Sequence, residues 1–143
     1  MSKNKYMELK HRQQAEVNSF PLAFAFSDKQ FDEQMIKLGL KPSDLDKIVS
    51  IGYGGFMRKS DAKAFEEMMR RHKLQMAKAI ADDKDGSGFI KDMFDYELSN
   101  HEYGYTRDVT DTLDALDLTM KDVASQRNLF NGLQNALKRY KKW

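Results

Sequence analysis

Residues 83–94 read DKDGSGFIKDMF. Whether this stretch is a calcium-binding loop or a connection between two helices decides the fold on either side of it. Asp83, Asp85 and Ser87 stand at alternate positions ahead of a glycine, as the first ligands of an EF-hand calcium loop do. A calcium loop also needs a carboxylate at its twelfth position, because that residue supplies two of the oxygen ligands. The twelfth residue here is Phe94, which supplies none.

Phe94 fits a helix better than a metal site. It lies four residues after Ile90 and four before Leu98, so the three side chains share one helical face and are expected to pack in the core. The stretch is therefore interpreted as a polar connection between two antiparallel helices, with Gly86 and Gly88 available for positive φ angles. Weak calcium binding by a degenerate loop stays open as an alternative function.

Outward from this connection, apolar residues recur at intervals of three and four along most of the chain. The pattern predicts helices at residues 5–18, 27–38, 60–82, 89–100 and 109–116, a helix capped by Thr119 and Asp122, and a final helix from Leu129 to Tyr140. The segment KIVSIGYGGFMRK alternates around glycines and predicts a β-hairpin of residues 47–51 and 55–59. The fold class is mainly α with a small β-hairpin (α+β), in a single compact domain spanning residues 1–143.

The composition limits the class of protein. The 143 residues are 41% apolar, 11% aromatic and 32% charged, which is typical of a folded soluble domain. No cysteine is present, so disulfides, thiolate metal sites and cysteine nucleophiles are excluded, and a cytoplasmic location is expected. No apolar run approaches the roughly 18 residues of a membrane span, and the charged N-terminal residues do not resemble a signal peptide.

Charge is distributed unevenly along the chain. Residues 82–122 hold twelve acidic and four basic side chains, a net charge of -8. The segments on either side, residues 57–81 and 123–143, carry +4 and +5. Two arrangements are compatible with this pattern: the segments neutralise one another in the fold, or they present two faces of opposite potential.

Residues 97–105, ELSNHEYGY, are the second candidate site. Glu97 and His101 lie one helical turn apart, a spacing that suits two ligands of one metal or an acid–base pair. No further histidine completes a ligand pattern, so a helix end is the simpler interpretation. Asn100 or Gly104 is then expected to stop the helix in the left-handed conformation. A polar binding patch stays open here.

The glycine-rich segment IGYGGFMRKSD, residues 51–61, is the third candidate. It matches neither phosphate-loop template, because the third glycine of the dinucleotide motif and the glycine before the lysine of a Walker loop are both missing. Arg58 and Lys59, beside a helix start at Ser60, are still able to hold an anion. A plain tight hairpin is the alternative.

Basic residues make nucleic acid an alternative partner. Residues 70–78 carry four basic side chains in one predicted helix, and LKRYKKW at residues 137–143 adds Tyr140 and Trp143 for stacking. The net charge is only +2, however, and the segment of net charge -8 would repel a duplex. A solvated or ion-paired face is therefore the simpler interpretation.

Four segments resemble a known family: YMELKHRQQAEVNSFPLAFAFSDKQF, SIGYGGFMRKSD, FDYELSNHEYGYTRDV and DALDLT. In these segments, which cover most of the chain, it is similar to a family of short, uncharacterised proteins from Firmicutes and their phages. The resemblance implies cargo of a phage or mobile element without an assigned activity. The family's pattern includes NHEY and the glycine hairpin, and it lacks the acidic glycine loop.

These observations predict a small non-catalytic interaction protein, encoded by a phage or prophage, that inhibits a host macromolecule by binding it in host takeover or anti-defence. The expected partner is a host protein; a nucleic-acid-binding accessory protein and a calcium-binding protein are alternatives, and homo-oligomerisation stays open. No membrane partner, cofactor, metal ligand or catalytic residue is assigned. The expected contact residues are polar or aromatic and are predicted to be exposed: Tyr53, Arg58, Asn100, His101, Glu102, Tyr103, Tyr105 and Arg107.

Overall fold

The computed structural model describes residues 4–141. Its helices are α1 (Lys5–Ser19), α2 (Asp28–Lys37), α3 (Ala62–Asp82), α4 (Phe89–Asn100), α5 (Tyr103–Thr106), α6 (Thr110–Ala115), α7 (Met120–Ser125) and α8 (Arg127–Leu137). Its strands are β1 (Ala23–Phe24), β2 (Ile48–Gly52) and β3 (Gly55–Arg58), and short 3-10 turns cover Leu45–Lys47, Lys59–Asp61 and Lys138–Tyr140. The predicted α+β class, mainly helical with a small β-hairpin, is confirmed.

The chain groups into two compact units. The helical unit contains Met1–Arg12 and Leu74–Trp143, and the sheet unit contains Gln13–Lys73. The single domain expected for residues 1–143 stays a prediction. Among residues 4–141, no helix has both the length and the apolar character required to cross a membrane.

The sheet unit is built on the predicted hairpin of β2 and β3. Strand β1 adds a third antiparallel strand on the other side of β3, with Ala23 opposite Phe56, so the order is β1-β3-β2. Helix α2 begins at the predicted cap, where the Ser27 hydroxyl accepts from the Gln30 backbone N–H at 3.2 Å. Ala23 and Phe56 are buried together with Met35 and Leu38 of α2 and the turn after it, which closes a small core.

An ion pair links the end of α1 to the first half of α3 within the sheet unit. The Arg71 guanidinium donates to both carboxylate oxygens of Glu16, at 2.9 and 2.7 Å, and His72 Nε2 lies 3.2 Å from one of them. Hydrogen bonds from Arg71 and then from His72 lower the pKa of Glu16 from its ordinary value of 4.5 to about 2. Arg71 is therefore engaged within its own unit.

The helical unit is organised around α4. One face of this helix is buried. It shares a single core with residues of α1, α6, α7 and α8: Tyr6, Leu9, Phe89, Ile90, Met93, Phe94, Leu98, Leu113, Val123, Leu129, Leu133 and Ala136. Phe94 has no exposed surface, which confirms the packing role predicted for it. The capping box predicted at Thr119 and Asp122 is also confirmed at the start of α7.

The glycine loop before α4 fits against the backbone of α8. A Cβ atom at Gly86 would lie 2.1 Å from the Asn128 carbonyl oxygen, and one at Gly132 would lie 2.3 Å from a methyl carbon of Ile90. Gly86 takes a positive φ of 79°, as expected, whereas the same expectation for Gly88 is wrong because its φ is -109°. The chain needs glycine at Gly86 and Gly132 because backbone and side chain approach so closely there.

Substitution of Gly132 tests this close approach. We expect Gly132→Ala to lower the free energy of unfolding by about 1–3 kcal/mol, because the added methyl group overlaps Ile90 and the Gly86 carbonyl. Urea denaturation measures the change. Gln134→Ala, at an exposed position of the same helix, is the control and should stay within about 0.5 kcal/mol of the wild type. Equal stability of the two variants would contradict the packing described.

Candidate binding surface

A buried carboxylate fixes the end of α4, where the segment of residues 100–107 begins. Glu97 is only 5% exposed. Its carboxylate accepts a short hydrogen bond from the Tyr6 phenol of α1 and a longer one, 3.5 Å, from Asn100 Nδ2, while His101 Nε2 lies 3.6 Å away. The backbone carbonyl of Glu97 accepts from Thr112 Oγ1 at 3.4 Å. The Glu97–His101 pair predicted from spacing is thus part of a larger polar cluster.

Tyr6 is the buried donor of this cluster. Its side chain is 1% exposed, and its ring meets that of Phe89 edge to face at a centroid distance of 5.9 Å. Burial, and then the hydrogen bond to Glu97, raise the pKa of Tyr6 well above its ordinary value of 10.0. The phenol therefore stays protonated and keeps donating to Glu97 across the neutral range.

The C-terminal end of α4 differs from the prediction in which residues are left-handed. Neither Asn100 nor Gly104 has a positive φ; the left-handed residues are Glu102, with φ 57°, and Arg107, with φ 59°. They flank α5, a four-residue helix that sequence periodicity did not predict. A left-handed residue other than glycine costs about 1–3 kcal/mol, and such strain persists only where the surrounding structure imposes it.

The second half of the segment packs against the turn after α8. The rings of Tyr103 and Tyr140 meet edge to face at 5.0 Å. The Arg107 guanidinium carbon lies 5.8 Å from each ring centroid, and Arg107 Nη1 donates to the Tyr140 carbonyl at 2.9 Å. These contacts hold residues 103–107 in place and explain why the strained backbone is tolerated.

A second arginine lies on the same tyrosine. The Arg139 guanidinium carbon is 4.8 Å from the Tyr140 centroid, and Arg139 Nη2 donates to the Tyr140 hydroxyl at 2.7 Å and to the Asp95 carbonyl at 2.6 Å. Beside this cluster, Tyr105 is 94% exposed. We define the arginine–tyrosine surface as Tyr103, Tyr105, Arg107, Arg139 and Tyr140.

The predicted contact residues of the helical unit fall into two groups. Asn100 and His101 belong to the Glu97 cluster, and Glu102 is exposed at the strained position between the groups. Three others lie on the arginine–tyrosine surface: Tyr103, Tyr105 and Arg107.

Tyr53 and Arg58 lie in the sheet unit. Tyr53 occupies the tip of the hairpin, 96% exposed and with a φ of 53°. Arg58 forms two hydrogen bonds within the unit: its Nε donates to Asp61 at 2.9 Å, and its Nη1 donates to the Leu38 carbonyl at 3.3 Å. Arg58 therefore anchors the end of β3 within its own unit, and Tyr53 is the more accessible of the two.

Sequence reasoning missed Tyr6 and Arg139 as members of these sites. Tyr140 was noted only for the apolar face of a helix and for stacking. The contact of Arg139 with the neighbouring Tyr140 ring is local, but its hydrogen bond to the Asp95 carbonyl depends on how the turn after α8 meets α4, which no local pattern signals. Trp143, the other stacking residue predicted, lies outside the described residues.

The acidic glycine loop uses its carboxylates internally. Asp83 Oδ2 accepts from the backbone N–H groups of Gly88 and Ile90, at 3.1 and 2.9 Å, at the start of α4. Asp85 Oδ1 accepts from the hydroxyl and N–H of Ser87, which lower the pKa of Asp85. Within residues 4–141, no group of three histidine or acidic side chains is arranged to hold a metal ion.

Tyr6→Phe tests the buried cluster. Removing the phenol leaves Glu97 without its buried donor, so we expect the free energy of unfolding at pH 7 to fall by about 1–3 kcal/mol. In the wild type, stability should also fall as the pH rises above 10, because the unfolded phenol ionises there while the folded one stays protonated.

Urea titrations at a series of pH values measure both effects. The variant should lack the part of the alkaline loss that is due to Tyr6. Tyr105→Phe, at an exposed tyrosine, is the control and should behave as the wild type. A Tyr6→Phe variant as stable as this control at pH 7 would contradict the role given to the Tyr6–Glu97 hydrogen bond.

The capping role of the glycine loop predicts its response to substitution and to calcium. We expect Asp83→Ala to lower the free energy of unfolding by about 1 kcal/mol, because two N–H groups at the start of α4 lose their acceptor. Millimolar calcium should leave the melting temperature of the wild type unchanged. An increase with calcium that a chelator reverses would contradict this interpretation, since a bound ion stabilises the folded state by mass action.

Comparison with known proteins adds one finding to this geometry. No curated protein and no solved structure matches the chain. A family model, described as a family of unknown function (DUF7659), matches residues 5–139. The match spans both units, the hairpin tip and nearly all of the arginine–tyrosine surface. The chain therefore belongs to the DUF7659 family, whose function is unknown.

Proposed function

We propose that the protein is a non-catalytic interaction protein that binds another protein through the arginine–tyrosine surface. The observation that carries this proposal is Tyr105, a large aromatic side chain held 94% exposed between two strained residues, Glu102 and Arg107. Tyrosine and arginine, together with tryptophan, are enriched at the energetic centres of protein interfaces, because they combine a large contact area with hydrogen bonding.

The resemblance stated above supports the biological setting that we propose. We place the protein in a phage or prophage, acting in the host cytoplasm by covering a surface of a host protein. The absence of cysteine from the sequence fits a reducing compartment. Occupying a partner's surface requires no chemistry of its own, so an exposed and ordered contact surface is sufficient for an inhibitor of this kind.

The environment of Glu97 supports a role without catalysis. Glu97 and His101 are the nearest approach to an acid–base pair in this region. The Glu97 carboxylate is buried and accepts from Tyr6 and Asn100, so its oxygens are already used within the helical unit. The cluster thus supports the position of residues 100–107.

Nucleic acid has less support as the partner. Of the basic side chains predicted to face phosphates, Arg71 pairs with Glu16, and Lys78 pairs with Asp82 at 2.6 Å. Contacts to a phosphate backbone would have to compete with these carboxylates. We therefore treat nucleic-acid binding as an outcome that the experiments below can detect.

Affinity capture with matched variants tests the proposed function. Tagged wild-type protein is passed through host lysate beside Tyr105→Ala and Lys121→Ala, the latter at an exposed site on α7. We expect one protein to be retained stoichiometrically by the wild type and the Lys121 variant, and the affinity of the purified partner to fall at least about tenfold with Tyr105→Ala.

Two results would contradict the proposal: capture of the same proteins by all three forms, or capture of none in stoichiometric amount. A Tyr53→Ala variant extends the experiment to the hairpin tip of the sheet unit. Loss of the partner with Tyr53→Ala but not with Tyr105→Ala would assign the contact to Tyr53 and remove it from the arginine–tyrosine surface.

A further inference from the structure

Arg107 and Arg139 are ordered cations that lack an acidic partner. Within residues 4–141, neither guanidinium forms an ion pair with a carboxylate. Their hydrogen bonds go to neutral acceptors instead, the carbonyls of Tyr140 and Asp95 and the Tyr140 hydroxyl. By contrast, Arg58 and Arg71 are each paired with a carboxylate in the sheet unit.

The carboxylates of acidic residues near the two arginines interact with other groups. Asp108 follows Arg107 directly, yet its Oδ1 accepts from the hydroxyl and N–H of Thr110, at 2.6 and 2.9 Å. The Asp95 carboxylate pairs with Lys91 at 2.7 Å, so Arg139 receives only the Asp95 backbone carbonyl. The unpaired charge of the two arginines therefore persists next to acidic residues.

Both guanidinium groups lie against the ring of Tyr140. Both lie within 6 Å of the centre of the Tyr140 ring, at 5.8 Å for Arg107 and 4.8 Å for Arg139. A guanidinium has five N–H donors in a planar fork, and each of these two uses only part of them. The remaining donors are preorganised for an external anion, because little side-chain entropy is left to lose on binding.

We propose that Arg107 and Arg139 form a carboxylate-binding site that receives an acidic segment of the partner protein, with Tyr105 packing beside it. This proposal rests on the proposed function and specifies the chemistry of the partner. The fork of an arginine matches the two oxygens of a carboxylate. A segment with two or more Asp or Glu side chains supplies one carboxylate for each guanidinium.

The surroundings favour an acidic peptide over a nucleic acid. A single strand needs a positively charged groove that follows its backbone over several nucleotides. Here the exposed Glu102 and Asp108 lie in the same segment as Arg107 and would repel a continuous line of phosphates. Two separate carboxylates can engage two arginines without running past these acidic side chains.

Fluorescence anisotropy with two probes tests the site. One probe is a fluorescein-labelled peptide in which glutamates alternate with glycines, and the other is a labelled oligothymidylate of about ten nucleotides. We expect the peptide to bind the wild type and to bind Arg107→Ala and Arg139→Ala at least about tenfold more weakly. Arg127→Ala removes the same charge from an exposed position on α8 and should leave peptide binding unchanged.

Arg107→Lys and Arg139→Lys control for the possibility that the alanine variants fail to fold. They keep the charge and lose the planar fork, so each should weaken peptide binding by at least about threefold while the melting temperature stays near that of the wild type. Peptide affinity that is insensitive to these arginine substitutions would overturn the proposal. Tighter binding of the oligonucleotide than of the peptide, with a steep loss of affinity between about 50 and 200 mM salt, would overturn it in favour of nucleic acid.

The capture and peptide-binding experiments together distinguish failure of the carboxylate site from failure of the proposed function. If a captured partner is lost with Tyr105→Ala but binds both arginine-to-alanine variants as tightly as the wild type, the interaction function stands and the carboxylate site is refuted. If no partner is captured while the glutamate peptide binds in an arginine-dependent way, the carboxylate site stands and the function as a protein inhibitor is refuted.

Discussion

The hydrogen bond from Tyr6 to the buried Glu97 carboxylate is the constraint on which the helical unit depends. A carboxylate that is 5% exposed is tolerated only if donors replace the water it has lost. Tyr6 supplies such a donor from α1, and Asn100 supplies another from the same helix as Glu97. Because Thr112 of α6 donates to the Glu97 carbonyl, one residue connects three helices. The segment of residues 100–107 begins directly after this connection, which fixes the direction in which it leaves α4.

The acidic segment of residues 82–122 has a local explanation that neither of the two charge-based interpretations anticipated. Several of its aspartates accept backbone N–H groups at or just before helix starts: Asp83 for α4, Asp92 for Lys5 of α1, Asp108 for Thr110 of α6 and Asp122 for Thr119 at the cap of α7. Aspartate suits such positions because it accepts these hydrogen bonds and complements the positive end of the helix dipole. A chain with several short helices needs several such residues, and these four account for part of the negative charge of the segment.

The sequence allowed most helices to be located, because their apolar stripes and caps are local patterns. The caps at Ser27 and Thr119 were readable from residues three positions apart. Helix α5 was not, since the residues that bound it, Glu102 and Arg107, adopt left-handed conformations that glycine or asparagine would ordinarily signal. Strand β1 is only two residues long and exists through its pairing with β3, which no local pattern encodes.

The candidate site was likewise predictable only where it depends on local patterns. The spacing of Glu97 and His101 predicted their proximity, but Tyr6, the donor to Glu97, lies 91 positions away in the sequence. Likewise, Arg107 reaches a carbonyl 33 positions further along. Contacts of this kind depend on how the helices pack, so residue type alone suggested Tyr103, Tyr105 and Arg107 and placed Arg139 only in the basic segment LKRYKKW.

The two strained residues, Glu102 and Arg107, are expected to differ in their effect on thermal stability. Glycine at position 102 would adopt the left-handed conformation without steric cost, whereas glycine at position 107 would also remove the Arg107 contacts with Tyr103 and Tyr140. This chain has Glu102 and Arg107 there instead. Laboratory evolution for heat tolerance would thus be expected to replace Glu102 early and to retain Arg107, whose side-chain contacts offset the strain of its backbone.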